Sequence, residues 1–167
     1  VNVTNMCYTF HDCRNLVDAP EIPSNVTIMV GTFHNCYNLI DAPEIPSNVT
    51  SMSGTFNGCS NLINAPDMSN AVKVNSISYT FYNCHGLINA PIIPVNVADM
   101  TSAFRNCTNL TGNIYIKSNR INNTSMQNCF NGTTLSKNVY IPSQGYNAVA
   151  NTWNAAFNTT YGINGKN

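Results

Sequence analysis

VGTFHNCYNLIDAPEIPSNVTSM, residues 30–52, is a copy of the stretch before it and the template for those that follow. Phe10, Phe33 and Phe56 stand 23 residues apart, as do Cys13, Cys36 and Cys59, Leu16, Leu39 and Leu62, and Pro20, Pro43 and Pro66. Phe81, Cys84, Leu87 and Pro91 continue the series after a two-residue insertion, and Phe104, Cys107 and Leu110 resume the spacing of 23. A fixed period of this size marks a chain that stacks one structural unit on the next, each unit burying its apolar side against its neighbours. The expected fold is a repeat solenoid with Phe, Cys and Leu piled up as inward columns.

The rest of the composition narrows the class. Among 167 residues there are seven Lys plus Arg and seven Asp plus Glu, so charged residues make up only 8% of the chain. A nucleic-acid binder needs a basic stripe to displace counterions from phosphates, and this balance argues against one. No run approaches the roughly 18 apolar residues needed to span a bilayer, so direct membrane insertion is not expected. Val3-Thr4-Asn5-Met6 aligns with Val26-Thr27-Ile28-Met29, so the sequence opens inside a repeat and reads as a fragment of a longer protein.

Comparing copies assigns a role to each position. Val26, Met29 and Phe33 recur at steps of three and four, the spacing of one face of a helical turn, so a short helix or 3₁₀ segment is expected there, with Ser24 and Asn25 as N-caps. Leu39-Ile40-Asp41-Ala42 reads as the short parallel strand, closed by Pro43, which has no amide proton to continue a ladder. Asn15, Asn38 and Asn61 read as a buried ladder bonded to the next coil. Cysteines in one column lie about 4.8 Å apart with parallel side chains, the wrong geometry for a disulfide, so buried thiols are expected. Such an unpaired set suits an intracellular or anaerobic setting. Residues 1–110 make up the regular solenoid. Residues 111–167 read as degenerate terminal repeats and a C-terminal cap, with Trp153, Phe157 and Tyr161 on a short amphipathic helix and Leu135–Tyr146 echoing Leu110–Ser118.

The shared pattern, FxxCxNLxxAPxIPxNVTxMxxTF, resembles the BspA-like leucine-rich repeats. That resemblance covers nearly the whole chain. It implies a modular surface protein of host-associated bacteria, sometimes of their phages or of parasitic protists, acting in adhesion or recognition, extracellular or at the cell surface. The implied partner is a protein or glycan on a host or neighbouring cell. The resemblance carries no fixed functional residues.

Few residues invite chemistry. Asp18 and Asp41 share one column and Glu21, Glu44 and Asp67 another, which raises a glycosidase pair or a calcium site; neither column has a pocket-forming insertion beside it, and copied surface positions explain both. His11 and His34 beside Asp12 offer two metal ligands where zinc wants three or four. No phosphate loop, nucleophile elbow or HExxH motif is present. The expectation is therefore no enzyme, no metal and no cofactor. The informative columns are those that vary while their neighbours stay fixed. After Phe come His11, His34, Asn57, Tyr82 and Arg105; after Cys come Arg14, Tyr37, Ser60, His85 and Thr108. His, Tyr and Arg supply flat contact area and directional hydrogen bonds at interfaces. His11, Arg14, His34, Tyr37, Tyr82, His85 and Arg105 are accordingly the expected ligand-binding strip, continuous along the stack. The leading function is a non-catalytic recognition or adhesion module. Its rivals are a phage-tail or filament subunit assembled end to end through the open N-terminal coil and a carbohydrate-active enzyme using the Asp/Glu columns.

Overall fold

The computed structural model describes residues 2–121, 124–133 and 139–140, and it is a solenoid of parallel coils. Two ladders of isolated parallel bridges run its length. One joins Asp18, Asp41, Asn64 and Asn89, within the segment expected to be a strand; the other joins Asn5, Ile28, Ser51, Ser76 and Asp99. Further along, Ile93 pairs with Ile116, and β1 (Ile114–Tyr115) pairs in parallel with β2 (Val139–Tyr140). The register, Ile114 with Val139 and Tyr115 with Tyr140, is the one that the echo between Leu110–Ser118 and Leu135–Tyr146 implies. The expected terminal helix with Trp153, Phe157 and Tyr161 lies outside the described residues.

The second ladder occupies the segment expected to be helical, and no helix forms among the described residues. The backbone hydrogen bonds explain why. The N–H groups of Met29, Gly31, Phe33 and Asn35 donate to the next coil at Ser51, Ser53, Thr55 and Asn57, while those of Thr32, His34 and Cys36 donate back three residues, to Met29, Gly31 and Phe33. With every other N–H committed to the neighbouring coil, a ladder of i to i−4 bonds has no donors left. The result is a chain of β-turns. Its first and last turns carry a left-handed residue at their third position, as type II turns require. One left-handed column holds Tyr8, Gly31, Gly54, Tyr79, Ser102 and Asn128; the other holds Asp12, Asn35, Gly58, Asn83, Asn106 and Gly132. The second column uses only Asp, Asn and Gly, the residues that tolerate positive φ best.

These turns still point Val26, Met29 and Phe33 inward, since steps of three and four bring side chains to one side in tandem turns as they do in a helix. Phe10, Phe33, Phe56, Phe81, Phe104 and Phe130 stack, with centroids 5.2–5.7 Å apart and planes within 13° of parallel. Leu39, Leu62, Leu87 and Leu110 are fully buried, whereas Leu16 is half-buried. The alanines Ala19, Ala42, Ala65 and Ala90 are partly buried and pack against the edge of the core.

Two polar columns lock successive coils together. Thr32, Thr55 and Thr80 are buried and donate to the carbonyls of Met6, Met29 and Met52 at 2.7–2.9 Å. Cys36, Cys59, Cys84 and Cys107 direct Sγ to the carbonyls of Phe10, Phe33, Phe56 and Phe81 at 2.9–3.1 Å. None of the seven cysteines forms a disulfide. Cys13 shares the column but is exposed, and Cys129 lies in a different column, buried where the other coils place Thr55 or Thr80, directly before the stacked Phe130. The asparagines behave differently from expectation. Asn15, Asn38 and Asn61 are exposed, and Asn61 Nδ2 donates to Asn38 Oδ1 at 3.3 Å. Asn25 and Asn48 cap nothing; they donate to the preceding coil, at Asn2 Oδ1 and the Ser24 carbonyl.

Candidate functional site

Each turn segment alternates inward residues (Met29, Phe33, Cys36) with residues left at the surface (His34, Tyr37), and that alternation builds the strip. His11 and His34 meet edge to face at 4.9 Å, Arg14 lies over the Tyr37 ring at 5.3 Å, and Arg105 lies over Tyr82 at 5.8 Å. The sequence-derived residues therefore come together as pairs across adjacent coils. Asn57 and Ser60 carry the two columns on with small polar side chains between the His11–Arg14–His34–Tyr37 cluster and the Tyr82–His85–Arg105 cluster. His85 is exposed beside the second cluster.

Two residues of the strip escaped the sequence reading. Tyr8 and Tyr79 occupy the left-handed column with φ of 54° and 55°, where the Phe33 and Phe56 coils have glycine, and they are 56% and 44% exposed. Tyr8 meets His11 edge-on at 5.7 Å and Tyr79 lies 5.9 Å from Tyr82, so each extends one cluster by an aromatic ring. A Cβ on Gly31 would fall 2.3 Å from the Tyr8 ring, which leaves glycine as the residue beneath it. The signal was present in the sequence: a bulky aromatic in a column whose other members are small or turn-forming.

Electrostatics within the strip are mild. His11 Nδ1 lies 3.1 Å from Asp12 Oδ2, and Arg14 is 3.9 Å from the same carboxylate. Burial, and next the positive charge that His11 would carry, push His34 below the usual histidine range, with Asp12 opposing. The Arg105 Nε is buried and has no hydrogen-bond partner among the described residues. Guanidinium-on-ring packing accommodates this, because the attraction is to the ring face. Among the described residues no three His, Cys, Asp or Glu are grouped to hold a metal ion. The buried thiols are inert by environment: desolvation raises Cys36 to about 11 and drives Cys59, Cys84 and Cys129 higher still.

The acidic columns sit on the ladder side. Asp41 accepts from Asn64 Nδ2 at 2.8 Å and stays exposed. Glu21 and Glu44 line an open cleft of about 620 Å³ with Ile22, Ile45, Asn70 and Val72. This corrects the expectation of no insertion beside them. The extra residues before Val74 form a second turn, Ala71 donating to Met68 and Val74 to Ala71, and this turn supplies the far wall.

The repeat geometry agrees with a family model. The model for the BspA type leucine-rich repeat region matches residues 4–111 and 31–161, in six copies. The chain belongs to the BspA-type leucine-rich repeat family. Such BspA-type repeats provide a repeat-based protein-interaction module, and proteins built from them are generally not enzymes and are commonly surface-associated in bacteria. Two solved structures share the fold. The T. pallidum leucine-rich repeat protein (TpLRR) is 18% identical with a TM-score of 0.60, over 98% of this chain and 79% of that one. A leucine-rich repeat protein from Bacteroides ovatus ATCC 8483 is 20% identical with a TM-score of 0.52, over 84% of this chain and 47% of that one. No curated protein sequence matches this BspA-type chain.

Proposed function

We propose that this chain is the recognition part of a cell-surface adhesion protein and grips a protein or glycan partner with the strip that runs from Tyr8 to Arg105. The observation that carries this reading is the pair of left-handed tyrosines. A non-glycine residue in that conformation costs about 1–2 kcal/mol. An exposed ring gains little from the interior in return, and backbone strain of this kind collects at functional sites. Tyr8 and Tyr79 each stand beside the residues that vary from coil to coil, where aromatic and Arg side chains form the anchors of interfaces.

Replacing Tyr79 by glycine separates the two roles. The melting temperature is expected to hold or rise, because the strain is relieved, while affinity for a bacterial or host surface glycoprotein drops at least about tenfold, the loss of one aromatic anchor. Alanine at Tyr37, Tyr82, His85 and Arg105 together should abolish binding without changing the melting curve. Unchanged affinity in that fourfold variant with an unchanged melt would discard the strip.

A further inference from the structure

The ladder side carries a surface that the strip does not use. Val17, Ile40, Ile63 and Ile88 are successive members of one column, each 40–44% exposed, so four β-branched side chains form an apolar ridge along the first four coils. Their backbones are tied by the same ladder, Ile40 N–H donating to Val17, Ile63 to Ile40 and Ile88 to Ile63, which fixes the ridge as a straight, rigid row. Isolated exposed aliphatics need no explanation, but an aligned row of them marks a contact surface.

The charges say what covers it. Six of the seven acidic residues lie at or before Asp67, and six of the seven basic residues lie at or after Lys73. Among the described residues, four of the five basic ones (Lys73, Arg105, Lys117 and Arg120) thus lie further along the stack than six of the seven acidic ones. The acidic half flanks the ridge: Asp18 and Asp41 adjoin it, and Glu21 and Glu44 are exposed beyond it. The Glu21, Glu44 and Asp67 column changes character as it continues, becoming Ile92 and then Tyr115, with Lys117 exposed two residues further along the same outward face. A partner that matches this surface needs a rigid apolar row with positive charge at one end and negative charge at the other. The opposite end of a second copy has that pattern.

We infer that two copies of this chain pair ladder face to ladder face with their axes antiparallel. A two-fold axis running along the strand direction near Ile63 lays ridge on ridge and sets Ile40 of one copy against Ile88 of the other. The same operation sets the Glu21 coil of each copy against the Tyr115–Lys117 coil of its mate, with Glu44 one coil nearer the axis opposite Ile92, so a single contact is made twice, as in isologous dimers. The arrangement is side by side, not end to end, because the complementary charges lie along the flank of the stack. The strip stays free on the turn side, so loss of pairing and loss of ligand binding are separate results.

Sedimentation velocity of the full chain tests this. Dimers are expected at low salt, with the apparent Kd rising at least about tenfold between about 50 and about 500 mM NaCl as the exposed charges are screened. Glu21→Lys with Glu44→Lys should give a monomer, as should Lys117→Glu with Arg120→Glu, each with a native circular dichroism spectrum. Mixing the two variants one to one should restore a dimer, because each reversed end in the mixed pair again faces the opposite charge. Ile40→Ser with Ile63→Ser should also yield monomer, at unchanged ionic complementarity. A monomer at every salt and concentration would overturn the inference. So would a dimer indifferent to salt and to both charge reversals, or open-ended growth with concentration, which would signal end-to-end stacking.

Discussion

Each coil contains a block that never changes length and a return that does. From Met29 to Cys36 the spacing of left-handed residue, Phe, second left-handed residue and Cys is fixed, and it recurs unchanged at 52–59, 77–84 and 100–107, with Thr before Phe in the first three and Ala103 in the last. The two-residue insertion falls instead between Met68 and Val74, and the extra residues after Leu110 fall before Met126. The difference is one of hydrogen-bond commitment. In the block, alternate N–H groups bind the next coil and the intervening ones close turns, so an added residue would swap the two sets along the rest of the segment. The return has one bridge and one turn per coil, and an extra turn fits there, as Met68–Ala71–Val74 demonstrates.

The strongest way to break this comparison is to insert one alanine in each place. Between Gly31 and Thr32 it should misalign Phe33 and Cys36 with their stacks, at a cost on the order of 4–5 kcal/mol or loss of cooperative unfolding. Between Ser47 and Asn48 the same alanine lengthens a surface connection and should cost less than about 1 kcal/mol. Urea melts of the two variants give the answer directly, and equal losses would remove the distinction.

The block was legible in the sequence as a repeat but not as a conformation. The columns of Phe10, Phe33, Phe56, Phe81 and Phe104, and of Leu39, Leu62, Leu87 and Leu110, followed from periodicity alone, because apolar residues at a fixed period can only stack. The helix did not follow, since Val26, Met29 and Phe33 have the same spacing in tandem turns, and inter-coil bonds override local propensity. The decisive evidence was present in the Asp12, Asn35, Gly58, Asn83, Asn106 column, whose composition is that of left-handed positions. The strip was half legible. His, Tyr and Arg at variable positions could be picked out, but Tyr8 and Tyr79 could not be placed without knowing that their column turns outward. The cleft by Glu21 and Glu44 was hidden because an insertion in one coil came to wall two earlier ones.

Alkaline pH tests the block through its thiols. Burial raises Cys36, Cys59, Cys84 and Cys129 above the ordinary thiol value of 9.0, so the unfolded chain loses these protons before the folded chain does. Fewer bound protons in the unfolded state make stability fall as pH rises. Stability is thus fully present below pH 9 and declines above it, by about 1.4 kcal/mol per pH unit for each fully buried thiol such as Cys84. Urea melts from pH 7 to 11 should show that slope, and Cys59→Ala with Cys84→Ala should flatten it. A slope unaffected by the pair would mean that the thiols are not what titrates.

Thr55 probes the coil-to-coil bonds individually. Its hydroxyl lies 2.7 Å from both the Met29 and Met52 carbonyls and is fully buried. Thr55→Val keeps the shape and removes one donor, while the Met29 carbonyl keeps the Thr32 N–H and the Met52 carbonyl keeps the Thr55 N–H and the Thr80 hydroxyl, so a loss of about 1 kcal/mol is expected. Ser53→Ala, on a half-buried hydroxyl that shares its bond with Ser76 and Ser78, should cost well under half of that. If both substitutions cost the same, the buried threonine column would not be what holds adjacent blocks in register.

The finest test lies in the left-handed column at Gly58. The coils on either side put Asn35 and Asn83 in the same conformation, and Asn106 Nδ2 donates to Asn83 Oδ1 at 2.8 Å. Any Cβ at Gly58 would fall 2.5 Å from Asn35 Oδ1, the movable end of a polar side chain. Gly58→Ala pushes that oxygen aside and gains nothing, so with the left-handed strain it should cost about 1–2 kcal/mol. Gly58→Asn meets the same oxygen but can donate to it, as Asn106 does to Asn83, and Asn tolerates positive φ. It should therefore lie within about 0.5 kcal/mol of the parent despite being the larger residue, the range of a substitution that breaks no structural feature. A rank order that follows size, with Asn worse than Ala, would show that the column is set by space and not by backbone conformation and its amide ladder.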